Sequence, residues 1–276
     1  MDRFIDLFKT GDTNKFIKNN PIEIVSPTER YKLVKYLSSG TYGDVFSAVN
    51  TKGQKLAVKI TPLLNKSIRE VWETLYANKE CKVFVIDLIE AFIYKVDGIE
   101  NTTWVVQIQE LMEGDITRLD MDYNEISKLF VFLLQAINCL HKNGIAHLDV
   151  TTSNIFYKDG RFKLADFGLS CFKQEHTFNL FGKSLKSRKC KLYSTYIPPF
   201  FLEKKLKEKL SFEDAQKLDV WSIGVTIYKK MSDASIYNKK DSMMLNRLNY
   251  GNLEYIHKNL ENVQGNLLIF YYFIIF

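Results

Sequence analysis

A chain of 276 residues that is 46% hydrophobic, 14% aromatic and 25% charged has globular composition, which excludes wholesale disorder and suits one large domain or two lobes around a cleft. Its net charge of +6, from 38 Lys+Arg against 32 Asp+Glu, suits phosphate ligands or acidic partners but is too mild to mark a nucleic-acid binder. Cys81, Cys139, Cys171 and Cys190 are scattered with no close pair at metal-ligand spacing, as are the histidines, which predicts no zinc site and a reducing intracellular compartment, cytoplasm or nucleus.

In chain order, residues 1–29 mix short apolar clusters with Gly11, Asn19, Asn20, Pro21 and Pro27 and read as an irregular extension. The charges at Asp2, Arg3, Asp6 and Lys9 break any signal-peptide core. From Tyr31 to Ile60, "YKLVKYL", "DVFSAVN" and "QKLAVKI" predict an antiparallel meander of three strands. "NKSIREVWETLYANK" predicts a helix whose apolar stripe is Ile68, Val71, Trp72 and Leu75. Two further strands are expected over Phe84–Tyr94 and Thr103–Leu111. "NEISKLFVFLLQAINCLHKNG" is the clearest helix, with Ile126, Leu129, Phe130, Leu133, Leu134 and Ile137 inward and Gly144 as its stop.

The segment His147–Ser170 reads as a strand–turn–strand, and a polar stretch from Lys173 to Lys191 reads as a flexible loop. "DVWSIGVTIYKKM" is apolar nearly all round and predicts a buried helix. The terminal run "NLLIFYYFIIF" is too short to span a bilayer and reads as a core helix, so no membrane partner is predicted. The order is a small β-rich part followed by a larger helical part, an α+β organisation.

Several of these elements carry residues suited to phosphate chemistry. Gly40 and Gly43, in "LSSGTYGDVFSAV", let the backbone approach a phosphate closely, though hairpin glycines most often only make turns. Lys59, on a strand between Val58 and Ile60, points opposite to both, into a cleft or out to solvent, and Glu70 on the next helix can pair with it. In "HLDVTTSNIFYKDGRFKLADFGLS", Asp149, Asn154 and Asp166 place oxygen ligands beside apolar strands. Their desolvation is offset either by local turn hydrogen bonds or by a shared charged ligand.

The glycine turn, "AVK", the helix glutamate, "HLDVTTSN", "DFG" and "DVWSIGV" follow one another in an order that resembles the eukaryotic protein kinase family, over roughly residues 31–235. The resemblance implies a two-lobed kinase fold after an extension over 1–29, with an antiparallel β-rich N-lobe (about 30–111) and a helical C-lobe (about 112–276). It also implies transfer of the γ-phosphate of ATP to serine or threonine hydroxyls of protein substrates, with magnesium as cofactor. By the same resemblance Lys59 holds the α- and β-phosphates and is steered by Glu70, while Asn154 and Asp166 hold magnesium. Asp149 serves as catalytic base. Ser38, Gly40, Gly43, Val45 and Ala57 line the nucleotide. "QELMEG" places Gln109 at the gatekeeper position, the Glu110 carbonyl and Met112 backbone at adenine, and Asp115 at the ribose.

Departures from the family pattern are plain. Ser38 replaces the first glycine of the phosphate loop, and Leu148 replaces the arginine that anchors a phosphorylated activation segment, so phosphate control through Ser184, Ser187, Ser194 or Thr195 is not expected. Thr151 stands where serine/threonine kinases carry a lysine facing the transferred phosphate, with Lys183, Lys186 and Lys189 as candidate substitutes. Phe200 replaces the glutamate of the Ala-Pro-Glu motif, and the helical lobe is short at its end. "FFLEKKLKEKLSFEDAQKLDVW" adds charged residues that read as a solvated helix face. The "His-x-Asp-Val-Thr-x-x-Asn" loop is also similar to protein kinases of herpesviruses and other large DNA viruses. The alternative to an active enzyme is a pseudokinase that binds nucleotide or protein partners without transfer. Only "KSLKSRKCK" approaches a nucleic-acid patch, and no such partner is predicted.

Overall fold

The computed structural model describes residues 3–8, 11–40, 43–95, 103–192, 196 and 210–233. Phe200, Ser194, Thr195, the apolar run 266–276 and most of the charged insertion before Asp219 lie outside the described residues. The chain divides into two compact units: 1–82 with 86–113 and 177–186, and 83–85 with 114–176 and 187–276.

The first unit is built on an antiparallel sheet of β1 (Glu23–Val25), β2 (Arg30–Gly40), β3 (Gly43–Asn50), β4 (Lys55–Pro62), β5 (Leu88–Lys95) and β6 (Thr103–Glu110), in the order β1-β2-β3-β4-β6-β5. The predicted meander is β2–β4. Alternation along β4 sends Val58 and Ile60 into the core with Leu33, Phe46, Leu56 and Ile108, and leaves Lys59 on the other face. At the β2–β3 turn, a Cβ added to Gly43 would lie 2.3 Å from the carbonyl oxygen of Ile60, so glycine is required there by the neighbouring backbone alone.

The first 29 residues are more ordered than their composition predicts. They form α1 (Arg3–Leu7), α2 (Thr13–Asn19) and the edge strand β1, which pairs with β2 from Glu23↔Lys32 to Val25↔Arg30. Asp12 caps α2 by accepting the Lys15 amide at 3.0 Å. Phe4, Leu7, Ile17, Ile22 and Ile24 join the sheet core, with the Phe4 ring 5.0 Å from that of Trp104. Elements of three to seven residues are too short for periodicity to declare.

Helix α3 (Asn65–Cys81) completes the unit together with the hairpin β12 (Thr177–Leu180) and β13 (Lys183–Lys186). Ile68 and Val71 are buried as predicted and Trp72 packs against the same cluster, whereas Leu75 is exposed. The hairpin overturns the expected flexible loop over 173–191: Phe178 and Leu185 face one another across it and pack on α3. Residues Phe84–Asp87 precede β5 rather than belonging to it.

The second unit centres on α4 (Tyr123–Lys142) and α5 (Phe212–Asp233). Asp122 and Glu125 form a reciprocal capping box, each side chain accepting the other's amide at 2.8 Å. Ile126, Leu129, Leu133 and Ile137 are buried as predicted; Leu134 is exposed, and Ala136 and Leu140 complete the inward face. Gly144 ends the helix at φ 71°. Short strands flank this helix: β7 (Gly114–Asp115) before it, and β8 (Ile145–Ala146), β9 (Ile155–Lys158), β10 (Arg161–Leu164) and β11 (Cys171–Phe172) after it. β9 and β10 are joined by Asp159 and Gly160, both at positive φ. Helix α5 begins seven residues before Asp219, with Ser211 and Asp214 bonded at its start.

Cys171 and Cys190 are joined by a disulfide inside a cluster that includes Ala146, Leu148, Ala215 and Leu218. This corrects the reading of the cysteines as an unpaired set. Cys171 and Cys190 are 19 residues apart in sequence, a spacing that carries no signal until the Phe172 amide, donating to the Arg188 carbonyl at 3.2 Å, brings the chain back.

Candidate active site

In the first unit, cross-strand register puts Lys59 opposite Val45 on one side and Gln107 on the other. Its Nζ lies 2.6 Å from Oε1 of Glu70 on α3, with both side chains mostly buried. Gln107, wholly buried, donates from Nε2 to the same Glu70 oxygen at 3.2 Å, and Gln109 donates to Gln107 Oε1 at 3.5 Å. The anticipated lysine–glutamate pair is therefore present, and it has a neutral amide as a second donor. Sequence reading missed Gln107. The available signal was a glutamine inside the apolar run Trp104–Ile108, since a buried polar group requires a partner.

Ser38 pairs with Val45 and Gly40 with Gly43 across the β2–β3 turn. Ala57 is nearly buried and lies opposite Gln109. Glu110 ends β6, its Oε1 accepting the Asp87 amide at 2.8 Å, and Met112 follows in irregular chain.

In the second unit, Asn154 ends a single 3₁₀ turn, Thr152–Asn154. Its Nδ2 donates to Asp149 twice, to the main-chain oxygen at 2.9 Å and to Oδ2 at 2.7 Å. The Ala165 amide donates to the Asn154 carbonyl at 2.9 Å, which ties the segment before Asp166 to the same turn. Asp166 sits at φ 62°, a left-handed position that aspartate tolerates better than most residues, with Oδ1 accepting the Gly168 amide at 3.0 Å. The structure thus brings Asp149, Asn154 and Asp166 into one bonded constellation. Asp115, also in this unit, accepts the Thr117 amide at 2.8 Å, a local turn bond.

Two residues not singled out from the sequence hold this constellation. Asp219, wholly buried at the start of "DVWSIGV", accepts the His147 amide at 2.8 Å and the Leu148 amide at 2.7 Å, while His141 Nε2 lies 2.8 Å from it. His147 accepts the Asp149 amide at Nδ1 and donates from Nε2 to the Ala165 carbonyl, so one ring links the two aspartate-bearing segments. Its ring also packs 4.8 Å from that of Phe167, which is fully buried. The signal for Asp219 was a carboxylate at the head of the apolar run "DVWSIGVTIY", a group that cannot be buried without donors.

The fit to a divalent cation can be judged on these contacts. With its amide nitrogen committed to Asp149, Asn154 keeps Oδ1 as an oxygen donor, and Asp166 supplies a carboxylate. Such a sparse set suits magnesium, which keeps several waters and takes phosphate oxygens as further ligands. Among the described residues there is no cluster of three or more His, Cys, Asp or Glu, so an all-protein metal cage is not formed.

The profile of the protein kinase domain family matches residues 31–267. The chain belongs to that family. This kinase domain is 26% identical over 219 residues to a protein named a probable serine/threonine-protein kinase in Encephalitozoon cuniculi, covering 78% of this chain and 38% of that protein. It is 25% identical over 215 residues to serine/threonine-protein kinase 4 homolog B of Dictyostelium discoideum, covering 75% and 18%. Against the mitogen-activated protein kinase PMK1 of Pyricularia oryzae it is 28% identical over 229 residues, covering 78% and 59%. The kinase domain therefore spans less than two thirds of the length of these relatives.

Thr151 of the domain, at the expected lysine position, shares a hydrogen bond of 2.9 Å with Ser153 Oγ. Of the lysines considered as substitutes, Lys183 reaches Asn65 at 3.4 Å and Lys189 reaches Glu175 at 3.5 Å. Leu148, at the position of the missing arginine, is wholly buried at φ 64° beside the disulfide.

Proposed function

We propose that this chain is the catalytic domain of a serine/threonine protein kinase that transfers the γ-phosphate of ATP to protein hydroxyls. The observation that carries this reading is the double donation from Asn154 to Asp149, which holds that carboxylate in one orientation, as a general base requires. Lys59, held by Glu70, binds the α- and β-phosphates and offsets their charge. Asp166 and Asn154 would hold magnesium, which when bound neutralises charge on the phosphates. Asp149 orients the hydroxyl and accepts its proton, and the Asp219 and His147 contacts keep that carboxylate from drifting.

Protein substrates follow from this reading. No described helix is long and apolar enough to cross a membrane. With Cys171 and Cys190 paired, an intracellular location rests on the supply of ATP rather than on the cysteines.

A second reading, nucleotide binding without transfer, is favoured by one observation. A neutral hydroxyl, already bonded to Ser153, stands at position 151 where a cation is expected. Transfer of radiolabelled phosphate from ATP to a generic basic protein decides between them. The wild-type chain is expected to label the substrate, and Asp149→Asn to lower the rate by roughly a hundredfold or more. Thermal shift by ATP with magnesium but no transfer by the wild type would select the pseudokinase.

A further inference from the structure

The hairpin β12–β13 belongs with the first unit, and its contacts run along one face of α3. Phe178 stacks on Trp72 with ring centroids 4.4 Å apart and planes 6° from parallel. Arg69 Nε donates to the Lys186 carbonyl at 3.1 Å, and Lys183 Nζ reaches Asn65 Oδ1 at 3.4 Å. Asn65, Arg69 and Trp72 stand at i, i+4 and i+7, a single stripe of the helix. Glu70 lies about a third of a turn away and faces Lys59.

Two further features indicate a contact that matters. Helix α3 begins without a side-chain cap, since Leu64 at its N-cap position has none to offer. The hairpin tip places Phe181 and Gly182 at φ 52° and 72°, a turn that favours Asn-Gly, yet Phe181 is kept and packs against the cluster of Ile68, Val71, Leu88 and Val105. A bulky residue in a left-handed position is costly unless its side chain is used.

We propose that this hairpin is a built-in clamp on α3, with Phe178 and Trp72 as positioning residues that keep Glu70 on Lys59. The clamp acts through aromatic stacking and main-chain contacts and needs no phosphate on the segment. It rests on the kinase reading for its effect on rate, though not for its effect on the helix.

The test uses the full chain with Phe178→Ala, the conservative Phe178→Tyr, and Phe178→Leu should alanine fail to fold. Amide hydrogen exchange over 65–81 is expected to quicken roughly tenfold in Phe178→Ala and to return to wild type in Phe178→Tyr, with β3 and β4 unchanged. Unchanged protection of α3 in a folded variant would overturn the clamp. In transfer assays, Phe178→Ala is expected to lower kcat about tenfold, and to lower it no further in a Glu70→Gln background. An equal loss in both backgrounds would show that Phe178 does not act through Glu70. If the wild-type chain transfers no phosphate, the kinase reading fails while the exchange result still decides the clamp.

Discussion

In the first unit Lys59 is paired with a side chain on a helix that is itself positioned by neighbours; in the second, Asp149 is held through the backbone of the segment that carries it. Lys59 meets Glu70 end to end, and Gln107 donates to the same carboxylate. Asp149 is fixed by Asn154, by the His147 ring and, one and two residues upstream, by the buried carboxylate of Asp219. A rigid helix can rock on its packing and carry Glu70 with it, whereas main-chain amides bonded to a buried aspartate can move only by breaking those bonds. Within its own unit, Glu70 can therefore shift with its helix at lower cost than the Asp149 segment can shift within its own.

The largest effect that would break this contrast is on Asp219. Asp219→Ala removes the acceptor for two buried amides and a histidine, and should lower stability by about 3–5 kcal/mol. Denaturant unfolding measures it, and Asp219→Asn, which keeps one acceptor oxygen, should recover part of the loss. A change below about 1 kcal/mol would mean that the backbone of this loop is held by other means.

Next in size is the disulfide. Replacing both Cys171 and Cys190 by serine releases a crosslink across 19 residues and should cost about 3 kcal/mol in a chain-entropy account. Thermal unfolding gives the figure. The bridge lies in the cluster that buries Leu148, so the loss should appear in hydrogen exchange near 146–149 and leave the protection of α3 unchanged. Loss of protection across both units alike would erase the distinction drawn above.

Glu70→Ala probes the side that shifts at lower cost. It leaves Lys59 without its nearest carboxylate, and turnover should fall on the order of a hundredfold while the fold survives, because the lysine is not wholly closed off from water. Comparison of kcat with the unfolding midpoint separates the two. Equal damage to stability and rate would place Glu70 in the same structural class as Asp219.

How much of this was legible in the sequence follows the same division. Lys59, Glu70, Asp149, Asn154 and Asp166 could be named because each lies in a short local pattern, and the long periodic helix α4 announced itself. Their supports showed only as polar residues in apolar runs, without their partners. Gln107, Asp219 and His147 act through partners far away in the chain or through main-chain amides that no sequence displays. The hairpin reads as a loop because alternation is weak in "HTFNLFGKSLK", where Asn179, Lys183, Ser184 and Lys186 are exposed between the inward Phe178, Leu180, Phe181 and Leu185. The extension over 1–29 hid its elements for a related reason: four apolar side chains in three short elements, with Ile22 just before β1, form a core only once the sheet supplies the opposite wall.

The smallest expected effect is at Thr151, and it sharpens the contrast from the chemical side. In the proposed reading Asp149 is the base and Asn154 and Asp166 are the magnesium ligands, while Thr151, buried and bonded to Ser153, puts no cation at position 151. A charged donor there stabilises charge that spreads over the phosphoryl oxygens in the transition state, and Thr151→Lys should raise turnover about tenfold with ATP affinity little changed. The long side chain can extend past Ser153 toward water, so the substitution need not disrupt the turn. Lys183 and Lys189 already reach Asn65 and Glu175, which argues against either serving as the substitute. The check is turnover and ATP affinity for Thr151→Lys, alone and with Lys183→Ala, Lys186→Ala and Lys189→Ala combined. A gain from the new lysine in both backgrounds supports an unfilled cation position. A gain seen only when the three native lysines are removed would show that one of them fills it, and that the polar segment, rather than the catalytic loop, supplies the missing charge.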